Sequence, residues 1–475
     1  MPEIIDQPKT AVREIFALQR ERRLEMRLEP VENRKLRLRA IRTWIHLNKA
    51  LIQEAAYLDF RKPPVEVNAI EILHVLNEIS FALDNLDQWT KPKKVDAPIT
   101  MLGTRSSIYY EPKGICLIIA PWNYPFCLAI GPLISAIAAG NTAIIKPSEM
   151  TPHMSALIQK MIGELFEPHK VAVCAGGPEV SAQLLELPFD HIFFTGSPAI
   201  GKVVMKAAAT NLASITLELG GKSPVIVTAA TNLKMAAQRI AFAKFINNGQ
   251  TCIAPDYVLA DEKILPEFIE NLKEQIQRLF FEGNALEQSS SYARIVNENH
   301  YARIQALVKN AVEEGAQVAW SGPMDETERF IHPVLLTQVP DSARILEEEI
   351  FGPVLPILGY RGLDQALEFI NKRPKPLALY IFSGQTHDEQ KILASTSAGA
   401  VCINDCALHF LHHNLPFGGV NNSGIGKSHG YYGFQAFSNE KPVLRQRRGV
   451  SPVQFFYPPY TRTTRKLVDW FLKLF

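Results

Sequence analysis

The sequence predicts an α/β protein built on doubly wound parallel sheets, and three observations lead there. From residue 115 onward, short near-continuous apolar runs (ICLIIA, TAIIK, VAVC, HIFFT, SITLEL) alternate with helical stretches such as PHMSALIQKMIGELF. Strands of a parallel sheet covered on both faces read this way, because neither face meets water. A second set of strand and helix patterns runs from about residue 223 to 420. The length, 475 residues, exceeds one ordinary core and calls for two or three domains.

The remaining elements follow in order. The first ninety residues read helical, with Ile41, Trp44, Ile45, Leu51, Ile52 and Ala55 on one face, and a second helical pattern follows in VNAIEILHVLNEISFALDNLDQW. TKPKKVDAPITMLGTRSSIYYEPKG breaks that pattern with Pro, Gly and β-branched residues, as a hairpin or extended excursion does. Hydrophobic content of 47% and charged content of 21% describe a soluble globular chain. A net charge of +2, from 50 basic and 48 acidic residues, gives no support to nucleic-acid binding. The opening MPEIIDQPKT has no apolar core and so is not a secretory signal, and no run approaches the roughly 18 apolar residues of a membrane span. Six irregularly spaced cysteines suggest reduced thiols and a cytoplasmic setting.

Three stretches carry chemistry. In INNGQTCIAPDY, Cys252 follows the turn signal Asn248-Gly249 at the end of a helical segment. A thiol at such a boundary can face a cleft and act as a nucleophile, although on this fragment alone a buried loop cysteine is the more ordinary reading. The dinucleotide fingerprint G-x-G-x-x-G is absent; FFTGSPAIGK stands in its place, with Gly196 and Gly201 separated by four residues. Ser197 can cap the following helix and Pro198 suits its first position, so exposed N–H groups would meet a pyrophosphate beyond the strand end. In IIKPSE, Lys146 and Glu149 lie where a strand ends, within reach of ribose hydroxyls; a solvated surface pair is the bland alternative.

The blocks EPKGICLIIAPWNYPFCLAIGPLISAIAAGNTAIIKPSE, FFTGSPAIGK, LELGGKSP, NNGQTCIAPDY, EEEIFGPVLP and LPFGGVNNSGIGKSHGYYGFQAFS together resemble the aldehyde dehydrogenase superfamily, and within it the class 3 and fatty-aldehyde branch. They occur in family order over residues 111 to 438. The resemblance implies an aldehyde dehydrogenase-like fold: two doubly wound parallel-sheet domains plus a small bridging β-sheet. It places an NAD(P)-binding domain at 1–90 and 113–219, a catalytic domain at 220–420, a bridging and oligomerisation element at 91–112 and 421–445, and a tail with an amphipathic helix at 446–475. By the same resemblance Cys252 is the nucleophile, Asn123 the amide donor to the oxyanion, and Glu218 the general base that activates water against a thioester. Glu349 and Phe351 would hold the nicotinamide ribose and ring, Lys146 and Glu149 the adenosine ribose, and Gly196, Ser197 and Gly201 the phosphates. The cofactor implied is NAD or NADP, with NAD slightly favoured by Glu149; no metal is needed, because the cofactor accepts the hydride. The partners implied are an aldehyde, medium- to long-chain aliphatic or aromatic, and a second copy in a homodimer.

Two constellations weigh less. VCINDCALHFLHHN offers Cys402, Cys406, His409, His412 and His413, but without the paired spacing of a zinc site. RLRAIRTW is basic, yet its charges alternate with core-facing residues, as on a solvated helix face. The branch often carries Tyr-His-Gly where this chain has Ser428-His429-Gly430, a departure expected to lie outside the chemical core and to touch a subunit or pocket contact. In the tail, Arg462, Lys466, Asp469 and Lys473 form one polar stripe on an otherwise apolar helix. Such a helix, over 461–475, suits a lid on an apolar passage or a peripheral membrane contact. The rival readings are a coenzyme-A-acylating aldehyde dehydrogenase, which generally lacks a glutamate at position 218, a cysteine hydrolase without cofactor, and a non-catalytic protein reusing the fold.

Overall fold

The computed structural model describes residues 9–98, 101, 103–283, 285–446, 448–449 and 451–473. Helices fill the first ninety residues. The face expected to be continuous from Ile41 to Ala55 is divided between Val31–Leu47 and Lys49–Phe60, which break at Asn48. Asn48 caps the second helix without helical φ/ψ, and both faces still bury Ile41, Trp44, Ile45, Ile52 and Ala55.

Strands β1 (Lys93–Val95) and β2 (Arg105–Pro112) come first. β3 (Ile115–Ile119), β4 (Thr142–Lys146), β5 (Val171–Val173), β6 (His191–Gly196) and β7 (Ser214–Leu219) then alternate with helices. β8 (Pro224–Val227) and β9 (Tyr257–Asp261) open the second half. β10 (Gln317–Trp320), the short pair β11 (Met324–Asp325) and β12 (Phe330–Ile331), β13 (Val334–Thr337) and β14 (Val354–Tyr360) follow. β15 (Ala378–Phe382), β16 (Ala400–Ile403), β17 (Gly424–Ile425) and β18 (Ser438–Arg445) complete the set.

The first sheet has the order β17-β7-β6-β3-β4-β5 and the second β10-β13-β14-β9-β8-β15-β16. Both are parallel except for the edge strands β17 and β10, and a small antiparallel sheet β1-β2-β18 stands beside them. The α/β class with two parallel sheets and a small antiparallel one is therefore the observed fold. Every residue of β3 and β4 is buried, as their unbroken apolar character requires when helices cover both faces.

One stretch departs from expectation. Within 421–445, only β18 joins the small sheet; Gly424 and Ile425 instead pair antiparallel with Glu218 and Leu217 of the first sheet. A side chain at Gly424 would collide with the Leu217 carbonyl at 2.4 Å, and its φ of 151° suits glycine, so the close approach depends on that residue. This pairing draws the segment around Gly424 and Ile425 onto the strand that carries Glu218.

The tail forms the helix Arg462–Leu472, capped by Thr461, whose side chain accepts from Thr464 N–H. Val468, Trp470 and Leu472 are exposed on it, and the last two residues of 461–475 lie outside the described set. Among the described residues no helix is long and apolar enough to cross a membrane.

Candidate active site

Ligand sites of open parallel sheets form beyond the carboxyl ends of strands, and that is where the first sheet gathers its polar residues. Register places Ile119 beside Lys146 and Phe194, and Thr195 beside Glu218, so β3 and β4 end level and β6 and β7 run two residues further, carrying Glu218 just beyond them. Asn123 follows β3.

The loop that carries Cys252 arrives from the second half. After the helix Leu233–Phe245 the chain turns through Asn247 and Asn248, both with positive φ (49° and 56°), and then Gly249. A Cβ at Gly249 would lie 2.3 Å from the Gly352 carbonyl, so only glycine lets the two loops pass. Side-chain amides stitch the turn: Gln250 Nε2 donates to the Asn247 and Arg294 carbonyls, and Asn248 Nδ2 to that of Ala293.

The structure brings Asn123 against this loop. Its Nδ2 donates to the Gln250 carbonyl at 3.1 Å, leaving a second N–H, while its own carbonyl accepts from Asn247 Nδ2 and Lys62 Nζ. Tyr124 shares a 2.9 Å hydrogen bond with Thr251. Lys62 is itself paired with Glu71 at 2.9 Å, both side chains wholly buried, and Glu71 accepts from the N–H groups of Phe126 and Cys127. Sequence reasoning missed this pair, because a lysine and a glutamate in a helical region ordinarily face solvent.

Cys252, from the loop before β9, and Glu218, from β7, line one cavity, together with apolar groups that include Leu128, Phe193, Leu377 and Phe417. Burial pushes the Cys252 thiol up to about 12, and the carboxyls of Glu349 and Glu218 add to it; the N–H groups of Cys252 and Ile253 act the other way. Glu218 is buried and raised to about 8 by desolvation, opposed by a hydrogen bond from Ser428 and by the Lys427 charge. Ser428 Oγ donates to Glu218 Oε1 at 2.8 Å, and Glu218 Oε2 has no partner. This corrects the expectation for the Ser428-His429-Gly430 departure. Ser428 and His429 do make the expected pocket contact, but Ser428 also places a hydroxyl on the Glu218 carboxylate, because the β17 pairing folds its loop over β7.

A groove of about 590 Å³ opens on the other side, lined by Pro198, Gly221, Lys222 and Glu349 among others. Glu349 is raised to about 8 by burial and by Asp256, and lowered in part by the Gly221 N–H, Lys222 and Arg303. Its Oε1 is buried without a partner, an acceptor that suits a hydroxyl donor such as a ribose. Lys222 fixes this loop: Nζ pairs with Asp256 and donates to the Ile345 and Glu348 carbonyls, while Asp256 accepts from Ile350 N–H. Phe351 has a positive φ of 49°, and its ring stands edge-on to Trp122 at 5.2 Å.

Ser197 caps the helix Pro198–Asn211, accepting from Ile200 N–H at 3.4 Å, with Pro198 at its first turn. A Cβ at Gly201 would press Leu219 at 2.7 Å and one at Gly196 the Phe194 ring at 2.5 Å, so both glycines let backbone lie close to the sheet. The helix start and Glu349 thus border one groove whose donors and acceptors fit a dinucleotide. Lys146, buried, pairs with Glu149 at the end of β4, and neither is among the groove's lining residues.

Of the discounted VCINDCALHFLHHN stretch, His413 Nδ1 meets Glu78 at 2.9 Å, and Asn404 Oδ1 accepts from Ser383 N–H. Burial lowers His409 to about 4, with His429 contributing, and neither ring nitrogen has a partner. The ligand-spaced cluster found among the described residues lies elsewhere, at His74, Glu78 and His429.

Comparison with known proteins agrees with this architecture. Residues 3–443 match the family described as "Aldehyde dehydrogenase family". The chain is 46% identical over 428 residues to 4,4′-diaponeurosporen-aldehyde dehydrogenase of Staphylococcus aureus, covering 90% of this chain and 92% of that one. It is 39% identical over 462 residues to aldehyde dehydrogenase family 3 member A2 of Pongo abelii, covering 97% and 91%. Among solved structures, Staphylococcus aureus AldH in its substrate-bound state superposes with a TM-score of 0.92 at 42% identity, covering 97% and 99%.

Proposed function

The chain belongs to the aldehyde dehydrogenase family, is an oxidoreductase acting on aldehydes, and has family 3 members among its relatives; from that premise we propose a thiol mechanism in which Cys252 is the nucleophile, Asn123 the oxyanion donor and Glu218 the general base. The observation that carries it is a single cavity shared by Cys252 and a buried carboxyl poised near 8. Burial disfavours the thiolate and the N–H groups of Cys252 and Ile253 offset only part of that, so Cys252 attacks the aldehyde carbon as its proton passes to a base, for which Glu218 on the same cavity wall is the candidate. The free N–H of Asn123 Nδ2 and a backbone N–H stabilise the oxyanion; one such donor typically contributes roughly 3–4 kcal/mol at the transition state. Once the hydride has left the thiohemiacetal carbon, for which NAD(P)+ would be the acceptor, Glu218, its earlier proton passed to solvent, takes a proton from the water that cleaves the resulting thioester, releasing the carboxylic acid. A carboxyl near 8 is matched to that task at neutral pH.

The family uses NAD(P), and when bound it supplies the hydride acceptor. Glu349 and Phe351 would hold its nicotinamide half, Gly196, Ser197 and Gly201 its phosphates, and Lys146 and Glu149 its adenosine ribose. A carboxylate at Glu149 accepts from a 2′-hydroxyl and repels a 2′-phosphate, which favours NAD. We further infer a cytoplasmic homodimer whose apolar cavity takes medium- to long-chain or aromatic aldehydes. The helix Arg462–Leu472 would act as a lid or peripheral membrane contact.

The test is NADH absorbance with NAD+ and saturated aldehydes of increasing chain length. Turnover rising with length supports the reading; a preference for short chains removes the long-chain assignment and leaves the mechanism. No NADH with any aldehyde, NADP+ and coenzyme A included, would overturn the mechanism. The aldehyde named for the Staphylococcus aureus relative belongs in the panel.

A further inference from the structure

A second group of polar side chains lies on the wall of the same cavity, apart from the residues that carry the proposed reaction. His74 and Glu78, one turn apart on the helix Leu73–Trp89, meet His429 from the loop before the helix Gly430–Ala436. Each offers one ligating atom, and the three atoms lie within 4.8 Å of one another. Packing alone does not account for their state. His74 is 3% exposed, yet its Nδ1 has no hydrogen-bond partner, and His429 Nδ1 likewise has none.

Glu78, by contrast, is held at both oxygens. Oε1 meets His413 Nδ1 at 2.9 Å, and Oε2 accepts from Gly430 N–H at 2.9 Å. A carboxylate fixed by outer hydrogen bonds, with lone pairs still free, is how a metal-ligating carboxylate is oriented. Aromatic rings set the imidazoles: His74 stacks on Phe410 at 4.5 Å, and His429 on Phe417 at 4.9 Å with 9° between planes.

We propose that His74, Glu78 and His429 form a divalent-cation site suited to Zn²⁺, and that its occupation obstructs the aldehyde cavity. Two imidazoles and one carboxylate select a borderline cation over Mg²⁺ or Ca²⁺, which prefer oxygen ligands alone. Zinc bonds of about 2.0–2.2 Å put tetrahedral ligand atoms roughly 3.3 Å apart, so ligand atoms now within 4.8 Å of one another must close by up to about 1.5 Å on binding. All three residues line the cavity that Cys252 and Glu218 also line, so an ion held between them would border that space. The obstruction rests on the catalytic reading of that cavity; the binding site does not.

The test therefore measures binding without turnover. Zn²⁺ is titrated calorimetrically into full-length Cys252→Ser, which removes the competing thiolate, and Co²⁺ is followed by absorption. One ion per chain is expected, with d–d bands and no sulfur charge-transfer band. His74→Phe, which keeps the stack on Phe410, and His429→Asn, whose side chain tolerates the φ of 70°, should each weaken binding by at least about tenfold. Thermal melts identify any variant that does not fold, and either folded variant decides. No binding to Cys252→Ser, or equal binding by the His variants, overturns the site. Zn²⁺ bound with no inhibition of wild-type turnover overturns the obstruction alone.

Discussion

Removing the Ser428 hydroxyl should move the ionisation of Glu218 and, with it, the pH dependence of thioester hydrolysis. The hydroxyl donates to Oε1 at 2.8 Å inside a buried site, and the other oxygen has no partner to compensate. A hydrogen bond to a charged group is worth roughly 1.5–3 kcal/mol. At about 1.4 kcal/mol per tenfold, Ser428→Ala carries the carboxyl from about 8 to between about 9 and 10. At pH 7.5 the ionised fraction then falls from about a quarter to about 3% or less, a loss in steady-state rate of about tenfold or more that alkaline pH restores. The assay is steady-state NADH formation as a function of pH, with the pre-steady-state burst measured alongside. The burst, which reports attack by Cys252 and oxidation, should persist while the steady rate falls, and Ser428→Thr should return the profile toward wild type. An unchanged midpoint in Ser428→Ala would refute the coupling between this hydroxyl and the base.

Three other outcomes follow from the same contacts. Because burial raises Glu218 from 4.5 to about 8, the folded protein holds a proton that the unfolded chain releases between those values. Wild-type stability is therefore eroded as pH rises through that window, and Glu218→Gln should gain unfolding free energy relative to wild type from about pH 5 upward, by up to about 4–5 kcal/mol above pH 8, while losing hydrolysis; a stability gap in urea unfolding that is independent of pH would contradict this. Lys62→Met leaves Glu71 buried without its cation and should cost about 3–5 kcal/mol in urea unfolding, partly recovered by adding Glu71→Gln. Deleting residues 461–475 should reduce turnover of long aldehydes more than short ones, and an unaltered chain-length profile would remove the lid or membrane role.

What the sequence displayed was what local physics writes into it. Strands buried on both faces need unbroken apolar runs, so β3, β4 and β6 stood out, and the Ser197-Pro198 helix start was legible because capping chemistry is local. The turn before Cys252 was legible for the same reason, since positive φ at three consecutive positions demands Asn and Gly. The break at Asn48 was not, because no Pro or Gly marks it and both helices bury the same kind of face. Lys62 and Glu71 look like any solvated pair until the fold removes the solvent.

Ser428 shows the limit most sharply. It lies 210 residues from Glu218, and nothing in its neighbourhood encodes that contact. The only trace was a mismatch with the resembling branch, and a mismatch says that something differs without saying where it lies. The answer came from a two-residue strand, Gly424–Ile425, too short to announce itself by periodicity. Its pairing with β7 places Ser428 on the proposed base, His429 on the cavity wall and Gly430 N–H on Glu78. One short pairing thus sets both the carboxyl that would activate water and the cluster we assign to a cation. A substitution that loosens β17, such as one at Gly424 where a side chain meets the Leu217 carbonyl, should disturb both together, whereas Ser428→Ala should disturb only the first.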